Sequence, residues 1–366
     1  MMAPRAEEKA AAPAIEVREV RKIETDRQVC LIRYSPDGNV LFGGGYDSQI
    51  RRWDLTADEP VLMEPLTGHH GWVQSMAFLP DGETLVSVDS WGQLCAWSVH
   101  DSVPDLKWHV ERAHDGWIHD LAVSRDGSVL ATVGRDRYVR LWSAGDGALI
   151  RQLHRHEHEP FCVAIHPDNQ SVVSADLFGT LRHWSVDSAE TVRELSLEKM
   201  HYYERIQDVR GVFVLQFDDT GEALICAGGQ PTNTGNHQGI PTIHQIDWES
   251  FTASRSHSFG VTTDGFVFDL IRHPAGYFFA VTSGNPGAGQ LLLIDPTHDE
   301  PLFKYTKMSN CHSVTLHPDG KTLVVSATNR NSQGNGAVRD KEGKYLGNSS
   351  PLHVFEILQP AESRSG

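Results

Sequence analysis

A short turn motif recurs along the whole chain and restricts the possible fold more than any other feature. Its fullest form contains Pro-Asp-Gly, and an apolar run typical of a β-strand follows each copy. Glycine supplies the positive φ that such a tight turn requires. The seven copies are Ser35–Gly38, Leu79–Gly82, Ser124–Gly127, His166–Asn169, Asp218–Gly221, His273–Gly276 and His317–Gly320. This regular recurrence indicates a fold built from repeated units.

The segment Ala113–Ser143 shows what one repeat contains. It reads AHDGWIHDLAVSRDGSVLATVGRDRYVRLWS. Apolar residues alternate in its first part, a turn centred on Gly127 leads into Val129–Val133, and a second turn leads into Val139–Trp142. The pattern predicts three short strands joined by two tight turns.

The third strand of each repeat ends in a large apolar residue followed by a short polar one. The pairs are Trp53-Asp54, Trp97-Ser98, Trp142-Ser143, Trp184-Ser185, Ile246-Asp247, Ile294-Asp295 and Phe355-Glu356. With these endings, a period of roughly 40–55 residues and a histidine before the first strand, the chain resembles the WD-repeat β-propeller family from Ile15 to Gln359. Repeats 5 to 7 keep the period but lose the terminal tryptophan. The resemblance implies an all-β fold, a seven-bladed β-propeller of four-stranded antiparallel blades.

The resemblance also implies a buried, hydrogen-bonded tetrad in the well-matched blades. In blade 3 its members are His114, Thr132, Asp136 and Trp142. Blades 2 and 4 keep the histidine, a serine and the tryptophan, but Trp91 and Phe178 stand at the position of the aspartate. The alignment therefore predicts that only blade 3 has a complete tetrad and is the best stabilised blade.

The segment Ile15–Ile23 has no repeat of its own. Its sequence, IEVREVRKI, alternates apolar and charged residues as a strand does. Blade 7 ends at Leu352–Ile357 without sequence for a fourth strand, so we expect the N-terminal segment to supply that strand and close the ring. The predicted organisation is a disordered tail over residues 1–14, a propeller over 15–359 and a flexible C-terminal tail over 360–366.

Composition limits the classes of partner and the cellular location. The net charge is −16, which argues against nucleic acid because phosphate binding requires concentrated lysine and arginine. The five cysteines form no Cys-x-x-Cys pair, which favours reduced thiols in a cytoplasmic protein. The sequence shows no membrane-spanning run, so we expect no membrane partner.

Two motifs resemble sites of chemistry. Gly320-Lys321-Thr322 is similar to the end of a phosphate loop, but it lies in a turn between strands, where no helix follows. The cluster His154–Glu159 has imidazoles that could bind a metal, whereas the alternative places His156 in the tetrad position and its neighbours in solvent. We favour the alternative and expect no metal, cofactor or catalytic residue.

Aromatic residues concentrate at one mouth of the expected channel. Trp72, Trp117 and Phe266 stand at the start of inner strands, while Trp91 and Phe178 fall in turns on the same face. Exposed aromatic rings are frequent anchors of protein contacts, because they desolvate a large area at little rotamer cost. Partial burial against neighbouring blades is the alternative for any single ring. For the group we favour a binding surface.

The connection between the second and third strands is long in blades 5, 6 and 7. It covers Gly229–Ile240, Gly284–Gly289 and Thr328–Ser350 and is rich in glycine, asparagine and serine. Long loops on a rigid scaffold are usually functional or disordered, and tolerated insertion is the alternative interpretation. Our hypothesis is a polar recognition patch for a protein or peptide that contains Asn233, His237, Asn285, Asn329, Arg330 and Asn331.

The sequence therefore indicates a non-enzymatic scaffold that binds a partner through the channel-mouth face, as a monomer or as a subunit of a larger assembly. Two alternatives use the same face. One is a propeller enzyme, such as a metal-assisted hydrolase or lyase, and the other is a sensor that binds a small ligand or peptide in the channel. A fold of this kind hosts many functions, so the choice depends on the site.

Overall fold

The regular secondary structure of the described residues is almost entirely β-strand. The computed structural model describes residues 15–99, 105–204, 207–232, 238–284, 287–329 and 337–358. Within those ranges the helical content is one 3-10 turn, Thr262–Asp264. The tails expected at residues 1–14 and 360–366 lie outside the described residues.

The first strand, β1 (Glu16–Ile23), does not belong to the sheet that follows it in the chain. Blade 1 consists of β2 (Val29–Tyr34), β3 (Val40–Gly45), β4 (Gln49–Asp54) and two short outer pieces, β5 (Val61–Leu62) and β6 (Leu66–Thr67). Both short pieces pair with β4, so they act as one interrupted outer strand. Blade 2 consists of β7 (Val73–Phe78), β8 (Thr84–Asp89), β9 (Leu94–Ser98) and β10 (Asp105–Val110).

The next two blades follow the same antiparallel order, and a small hairpin comes after them. Blade 3 consists of β11 (Ile118–Val123), β12 (Val129–Gly134), β13 (Val139–Ser143) and β14 (Leu149–Gln152). Blade 4 consists of β15 (Pro160–Ile165), β16 (Ser171–Asp176), β17 (Thr180–Ser185) and β18 (Thr191–Ser196). The hairpin pairs β19 (His201–Glu204) with β20 (Gln207–Arg210).

The last three blades contain longer strands. Blade 5 consists of β21 (Val212–Phe217), β22 (Ala223–Pro231), β23 (Gly239–Asp247) and β24 (Thr252–Ser258). Blade 6 consists of β25 (Phe266–Arg272), β26 (Phe278–Ser283), β27 (Gly289–Ile294) and the first half of β28 (Phe303–Leu316). Blade 7 consists of the second half of β28, β29 (Thr322–Thr328), β32 (Leu352–Leu358) and β1.

Two of the predicted long loops are partly ordered as strands. The register of β22 and β23 continues to the pair Pro231↔Gly239, which leaves only 232–238 of the predicted loop Gly229–Ile240 outside the strands. The insertion Thr328–Ser350 contains a second hairpin, β30 (Ala337–Arg339) with β31 (Tyr345–Asn348). Glycine-rich and asparagine-rich sequence therefore concealed strand pairing in both places.

The repeated turn produces the same backbone conformation in every blade. The seven turn residues all have positive φ: Gly38, Gly82, Gly127, Asn169, Gly221, Gly276 and Gly320. Six are glycines and one is asparagine, the residue types that adopt this conformation at low cost. Each turn connects the first strand of a blade to the second, which confirms the strand positions that the motif predicted.

The first strands of the blades form a closed inner ring. In the described part of the chain, β2 contacts β7, and the contacts continue through β11, β15, β21, β25 and β28 back to β2. Side chains bond to the backbone of the neighbouring blade: Ser313 Oγ accepts from Ile32 N at 3.2 Å, and Asp120 Oδ2 accepts from Val163 N at 3.1 Å. These bonds fix the angle between adjacent sheets around a central channel.

The large residue that ends each third strand packs against the preceding blade. Trp97 of blade 2 lies in one cluster with Phe42 and Ile50 of blade 1, and Phe355 of blade 7 lies with Phe279 and others of blade 6. All seven are buried: Trp53, Trp97, Trp142, Trp184, Ile246, Ile294 and Phe355. In blades 5 to 7 an aliphatic or phenylalanine side chain fills the same place, so the missing tryptophan leaves the packing intact.

Strand β1 closes the ring, as the sequence predicted. It pairs antiparallel with β32, in a register that runs from Glu16↔Leu358 to Ile23↔Leu352. Val17 and Ile23 are buried in this pairing. Its Leu358 end lies in a groove beside the turns of blades 6 and 7, which include Pro274 and Gly320.

Histidines before the turn join neighbouring blades on that face. His166 Nε2 donates to the carbonyl of Gly221 in the next blade at 3.0 Å, and His273 Nε2 donates to the carbonyl of Gly320 at 2.9 Å. The other ring nitrogen, Nδ1, accepts from a backbone N–H two residues on, at 3.2 and 3.1 Å. The sequence alone assigns these residues no role, because only the assembled ring brings the next turn within reach.

We expect His273→Ala to lower the free energy of unfolding by about 1–3 kcal/mol, because it leaves a buried carbonyl and an amide without partners. Urea unfolding followed by tryptophan fluorescence measures the change. His109→Ala is the matched control, since the His109 side chain is half exposed and lies 3.8 Å from the exposed Glu111 carboxylate. Equal effects of the two substitutions would contradict a stabilising hydrogen bond between blades 6 and 7 at His273.

Candidate functional site

A row of aromatic rings, two exposed and one half-buried (Trp117), crosses blades 1, 2 and 3 at one mouth of the channel. Tyr46 follows β3, Trp72 precedes β7 and Trp117 precedes β11. The ring centroids of Tyr46 and Trp72 are 4.8 Å apart, and those of Trp72 and Trp117 are 5.5 Å apart, both edge to face. Tyr46 is 45% exposed and Trp72 is 41% exposed. We call these three residues the aromatic row.

Trp91 lies in the turn after β8 on the same face. It is 67% exposed, the largest exposed fraction among the large hydrophobic residues of the described chain. Its backbone is held, since Trp91 N donates to Asp89 Oδ1 at 2.9 Å. A fixed backbone under an exposed ring is the arrangement that a binding anchor requires, because little conformational entropy is lost on contact.

Phe178 belongs to a separate aromatic cluster on blade 4. Its ring centroid lies 3.8 Å from that of His158 and 4.0 Å from that of His201, and the ring is half-buried. His201 comes from the hairpin that the sequence did not predict. The structure therefore does not place Phe178 in the aromatic row, and it brings two histidines to Phe178 instead.

The prediction that Phe266 is exposed at the rim is wrong. Phe266 is only 4% exposed. Its ring occupies space left by two glycines, since a Cβ on Gly229 or Gly239 would lie 2.9 or 2.6 Å from it. Phe213 covers it further, at 5.4 Å between ring centroids. The missing side chains on β22 and β23 make the pocket that buries Phe266.

A groove of about 570 Å³ lies between the aromatic row and the blade 7 hairpin. Three aromatic residues, four polar or charged residues and one glycine line it: Arg27, Gln28, Tyr46, Asp47, Trp72, Tyr345, Gly347 and Asn348. Tyr46 and Tyr345 were not among the residues predicted from the sequence. An aromatic residue in the connection between β3 and β4 was the available signal for Tyr46, while the position of Tyr345 depends on the second hairpin.

Most of the polar patch predicted in the long loops falls outside the described residues. This applies to Asn233, His237, Asn285, Arg330 and Asn331. Asn329 is described: it is half-buried, and its backbone N–H donates to Ser349 O at 3.3 Å. The hairpin that follows places Tyr345 and Asn348, rather than Asn329, in the groove.

A chain of buried hydrogen bonds supports the face beneath Trp117. Trp142 Nε1 donates to Thr132 Oγ1 at 2.8 Å, Thr132 Oγ1 lies 2.7 Å from His114 Nε2, and His114 Nδ1 lies 2.8 Å from Asp136 Oδ1. Burial lowers the pKa of His114, which favours its neutral form. Burial alone would raise the pKa of Asp136, but hydrogen bonds from His114 and Arg140 hold it well below its ordinary value. With a neutral His114, each donor in this series of hydrogen bonds faces an acceptor.

The prediction that blades 2 and 4 lack the tetrad aspartate is wrong. Asp89 Oδ2 lies 3.2 Å from His69 Nδ1 in blade 2, and Asp176 Oδ2 lies 3.5 Å from His156 Nδ1 in blade 4. Both carboxylates come from the last residue of the second strand, whereas Asp136 of blade 3 comes from the following turn. In blade 4 the separation is too long for a hydrogen bond, so that tetrad is the loosest of the three.

The channel mouth is lined by one bulged residue from each inner strand. The antiparallel register shifts at the same point in all seven first strands, which turns an extra residue inward. These residues are Cys30, Gln74, His119, Phe161, Phe213, Phe268 and His312. All seven are half-buried and line a channel of about 630 Å³. We call them the mouth ring.

The described ranges contain no candidate metal site. No group of three or more histidine, cysteine, aspartate or glutamate residues there is placed to hold a metal ion. No helix in the described part of the chain has the length and apolar character needed to span a membrane. All five cysteines are free thiols, four of them buried.

Comparison with known proteins identifies the repeats. Residues 19–54, 60–98 and 105–143 match the family described as WD domain, G-beta repeat. The three segments contain the inner three strands of blades 1, 2 and 3. Residues 19–143 of the chain therefore carry WD repeats, and the closed ring of sheets is that of a β-propeller. The WD repeat is offset from the blade: the segment 105–143 begins with β10, the outer strand of blade 2, and ends with the third strand of blade 3.

Several curated proteins are similar to parts of this propeller. Protein groucho of Drosophila melanogaster is 23% identical over 180 residues, which cover 48% of this chain and 24% of groucho. The human WD repeat and SOCS box-containing protein 1 is 36% identical over 69 residues, 19% of this chain and 16% of that protein. The human kinesin-like protein KIF21B is 34% identical over 74 residues, 20% of this chain and 4% of that protein. The matched regions span a quarter or less of these relatives.

Proposed function

We propose that this WD-repeat propeller is a scaffold that binds a partner protein or peptide across the face carrying the aromatic row. The observation that carries the proposal is the continuous edge-to-face contact of Tyr46, Trp72 and Trp117, with exposed Trp91 on the same face. Large apolar surfaces left in water are costly in a monomer, and they become favourable when a partner covers them.

Trp72 and Trp91 are the proposed anchors. Tryptophan is enriched at the energetic centres of protein interfaces, because a buried indole removes a large area from water. Hydrogen bonds hold the backbone of both residues. Trp72, just before its strand, donates its N–H to Ser90 Oγ at 2.9 Å, and Trp91, just after its strand, donates its N–H to Asp89 Oδ1. The rings are therefore presented on a rigid base.

The groove beside the row suits a chain segment rather than a flat apolar surface. One wall carries Tyr46 and Trp72, and the other carries Tyr345 and Asn348 of the hairpin. Gln28 and Asn348 supply side-chain amides, which both donate and accept hydrogen bonds. A bound peptide would pack an apolar side chain against the aromatic rings on one wall and hydrogen-bond its backbone to the amides.

The proposed role involves no catalysis, since WD-repeat domains are in general interaction modules. One relative is named as a protein with WD repeats and a SOCS box, so its WD repeats stand beside another module. We propose a similar use here, as a subunit of a larger assembly. The five free thiols fit the cytoplasmic location that we propose, because cytosolic thiols are kept reduced.

The double variant Trp72→Ala, Trp91→Ala is expected to weaken partner binding by about 10- to 100-fold, the range typical of lost interface anchors, with little change in melting temperature. The measurement is quantitative capture of proteins from a lysate of the native cells, followed by affinity measurement with each purified partner. Leu149→Ala, Ile150→Ala is the matched control, because both residues are exposed on the outer strand of blade 3. Partners retained equally by both double variants would contradict the proposed face.

A further inference from the structure

The mouth ring divides into an aromatic half and a polar half. Phe161, Phe213 and Phe268 come from the consecutive blades 4, 5 and 6, and the ring centroids of Phe213 and Phe268 are 4.6 Å apart. His119 extends this half, with its centroid 4.3 Å from that of Phe161. The faces of aromatic rings carry negative potential, so such a half favours positively charged groups near it.

Two carboxylates follow mouth-ring residues directly, and their environments differ. Asp269 follows Phe268 and forms an ion pair with Arg33 at 3.1 Å. Asp120 follows His119 and accepts only from neutral donors: Ser75 Oγ at 3.0 Å, Leu121 N at 2.8 Å and Val163 N at 3.1 Å. Among the described residues no cationic side chain forms an ion pair with Asp120.

The charge of Asp120 is therefore only partly compensated. Burial raises the pKa of Asp120 to about 6, although its three hydrogen bonds and the charge of Arg33 act in the opposite direction. A half-buried carboxylate without an ion-pair partner is costly at neutral pH, and a bound cation would offset part of that cost. Asp120 differs in this respect from Asp269, whose counter-ion is part of the protein.

The charged residues that line the channel have a net negative charge. The residues that line it include four aspartates and two arginines: Asp120, Asp218, Asp219, Asp269, Arg33 and Arg125. Arg33 forms an ion pair with Asp269, and the exposed Asp219 forms one with Arg272 at 2.9 Å. Among the described residues, Asp120 and Asp218 are the lining carboxylates without an ion pair, and their negative charge favours a cation in the channel.

We propose that the channel mouth is a binding site for an organic cation, a guanidinium or ammonium group on an alkyl chain. Asp120 is the counter-ion of the cationic group. The rings of Phe161, Phe213 and Phe268 contact the cationic group and its alkyl chain. The chemistry is the same whether the group belongs to a peptide side chain or to a free small molecule. Three phenylalanines favour an organic cation over a metal ion, which would require several polar ligands. This site goes beyond the rim contact proposed above, since it lies inside the channel.

The test uses two guanidinium probes and their uncharged counterparts. The probes are N-acetyl-arginine methylamide and a nine-residue peptide with one central arginine, each compared with the citrulline version by isothermal titration calorimetry. We expect saturable binding of at least one arginine probe and at least tenfold weaker binding of its citrulline counterpart. Binding of both arginine probes identifies a site open to small molecules, and binding of the peptide alone identifies a peptide side chain. No binding of either arginine probe, or equal binding of citrulline, overturns the proposal.

Variants locate the site. Asp120→Asn is expected to weaken binding of the arginine probe at least tenfold. Phe213→Leu is expected to weaken binding by a smaller factor, because it leaves the polar residues of the channel unchanged. Asp115→Asn is the matched control, because Asp115 is 88% exposed outside the channel. Since Asp120 bonds to blades 2 and 4, the melting temperature of each variant is measured first, and Phe213→Leu decides the outcome if Asp120→Asn does not fold. Unchanged affinity in the folded variants overturns the proposal.

Trp72→Ala separates this proposal from the proposed function. It is expected to leave probe affinity unchanged, so the rim contact and the channel site are tested independently.

Discussion

Removal of residues 1–23 is expected to lower the free energy of unfolding by about 3–6 kcal/mol, because it exposes the buried surfaces that Val17 and Ile23 cover, each worth about 1.5–3 kcal/mol. It also leaves β32 as an unpaired edge at the end of blade 7. An unpaired strand edge is a template for association with other chains, so aggregation should rise as well. Chemical denaturation and light scattering measure the two effects.

Removal of residues 1–14 alone is the matched control for this truncation. It leaves β1 intact, so we expect nearly unchanged stability and no aggregation. The two truncations together isolate the contribution of the closing strand. If both unfold at the same denaturant concentration, the pairing of β1 with β32 does not stabilise the ring.

Asp89→Ala is expected to lower the free energy of unfolding by about 3–5 kcal/mol, the cost typical of removing one partner from a buried charged network. Asp89 is 0% exposed, and its two oxygens accept from five donors in blade 2. These donors are His69 Nδ1, His70 N, Gly71 N, Trp91 N and Gln93 N, at 2.9–3.2 Å. The substitution leaves all five without this acceptor, in a site too confined for free hydration.

Asp176→Ala in blade 4 is the comparison for Asp89→Ala. Asp176 accepts from Phe178 N and Thr180 N and lies 3.5 Å from His156, so a smaller loss is expected. Urea unfolding at fixed pH measures both variants, and equal losses would contradict the difference between the two tetrads. Asp89→Ala should also reduce partner binding, because Asp89 holds the turn that carries Trp91.

The effect of Asp89→Ala should depend on pH. Burial alone would raise the pKa of Asp89, but hydrogen bonds from His69 and from the backbone of Gln93 and Gly71 keep it below its ordinary value of 3.8. A lowered pKa in the folded state adds stability above pH 3.8, and this contribution is lost as the pH falls through the folded-state value. The stability difference between the wild type and Asp89→Ala should therefore narrow below pH 4.

Local sequence patterns predicted the strands, the turns and the closing strand. The positive φ at Gly38 and Gly320 is a requirement of a tight turn, and residue type reveals it without tertiary information. The large residues that end the third strands were also readable, since Trp97 and Ile246 occupy corresponding places in the repeat. The closing role of β1 was predicted because the repeat pattern requires four strands in each blade and blade 7 lacked one.

Features that depend on two distant segments were not readable. The tetrad histidine can be reached by a carboxylate from the end of a strand or from the next turn, and one alignment column cannot represent both Asp89 and Asp136. The burial of Phe266 depends on glycines in blade 5, which lie far from it in the sequence. The mouth ring depends on a register shift between strands, and a register shift has no signature in a single strand.

The pairing of β1 with β32 also determines how the protein can be attached to a surface. Glu16 lies opposite Leu358, and this end of the pair lies beside the turns that carry Pro274 and Gly320. The other end, Ile23 with Leu352, leads to the hairpin that borders the aromatic row. Immobilisation through a linker joined at Glu16 or at Leu358 therefore anchors the molecule by its turn face and leaves the aromatic row directed into solution, which is the orientation that a biosensor measurement of partner binding needs.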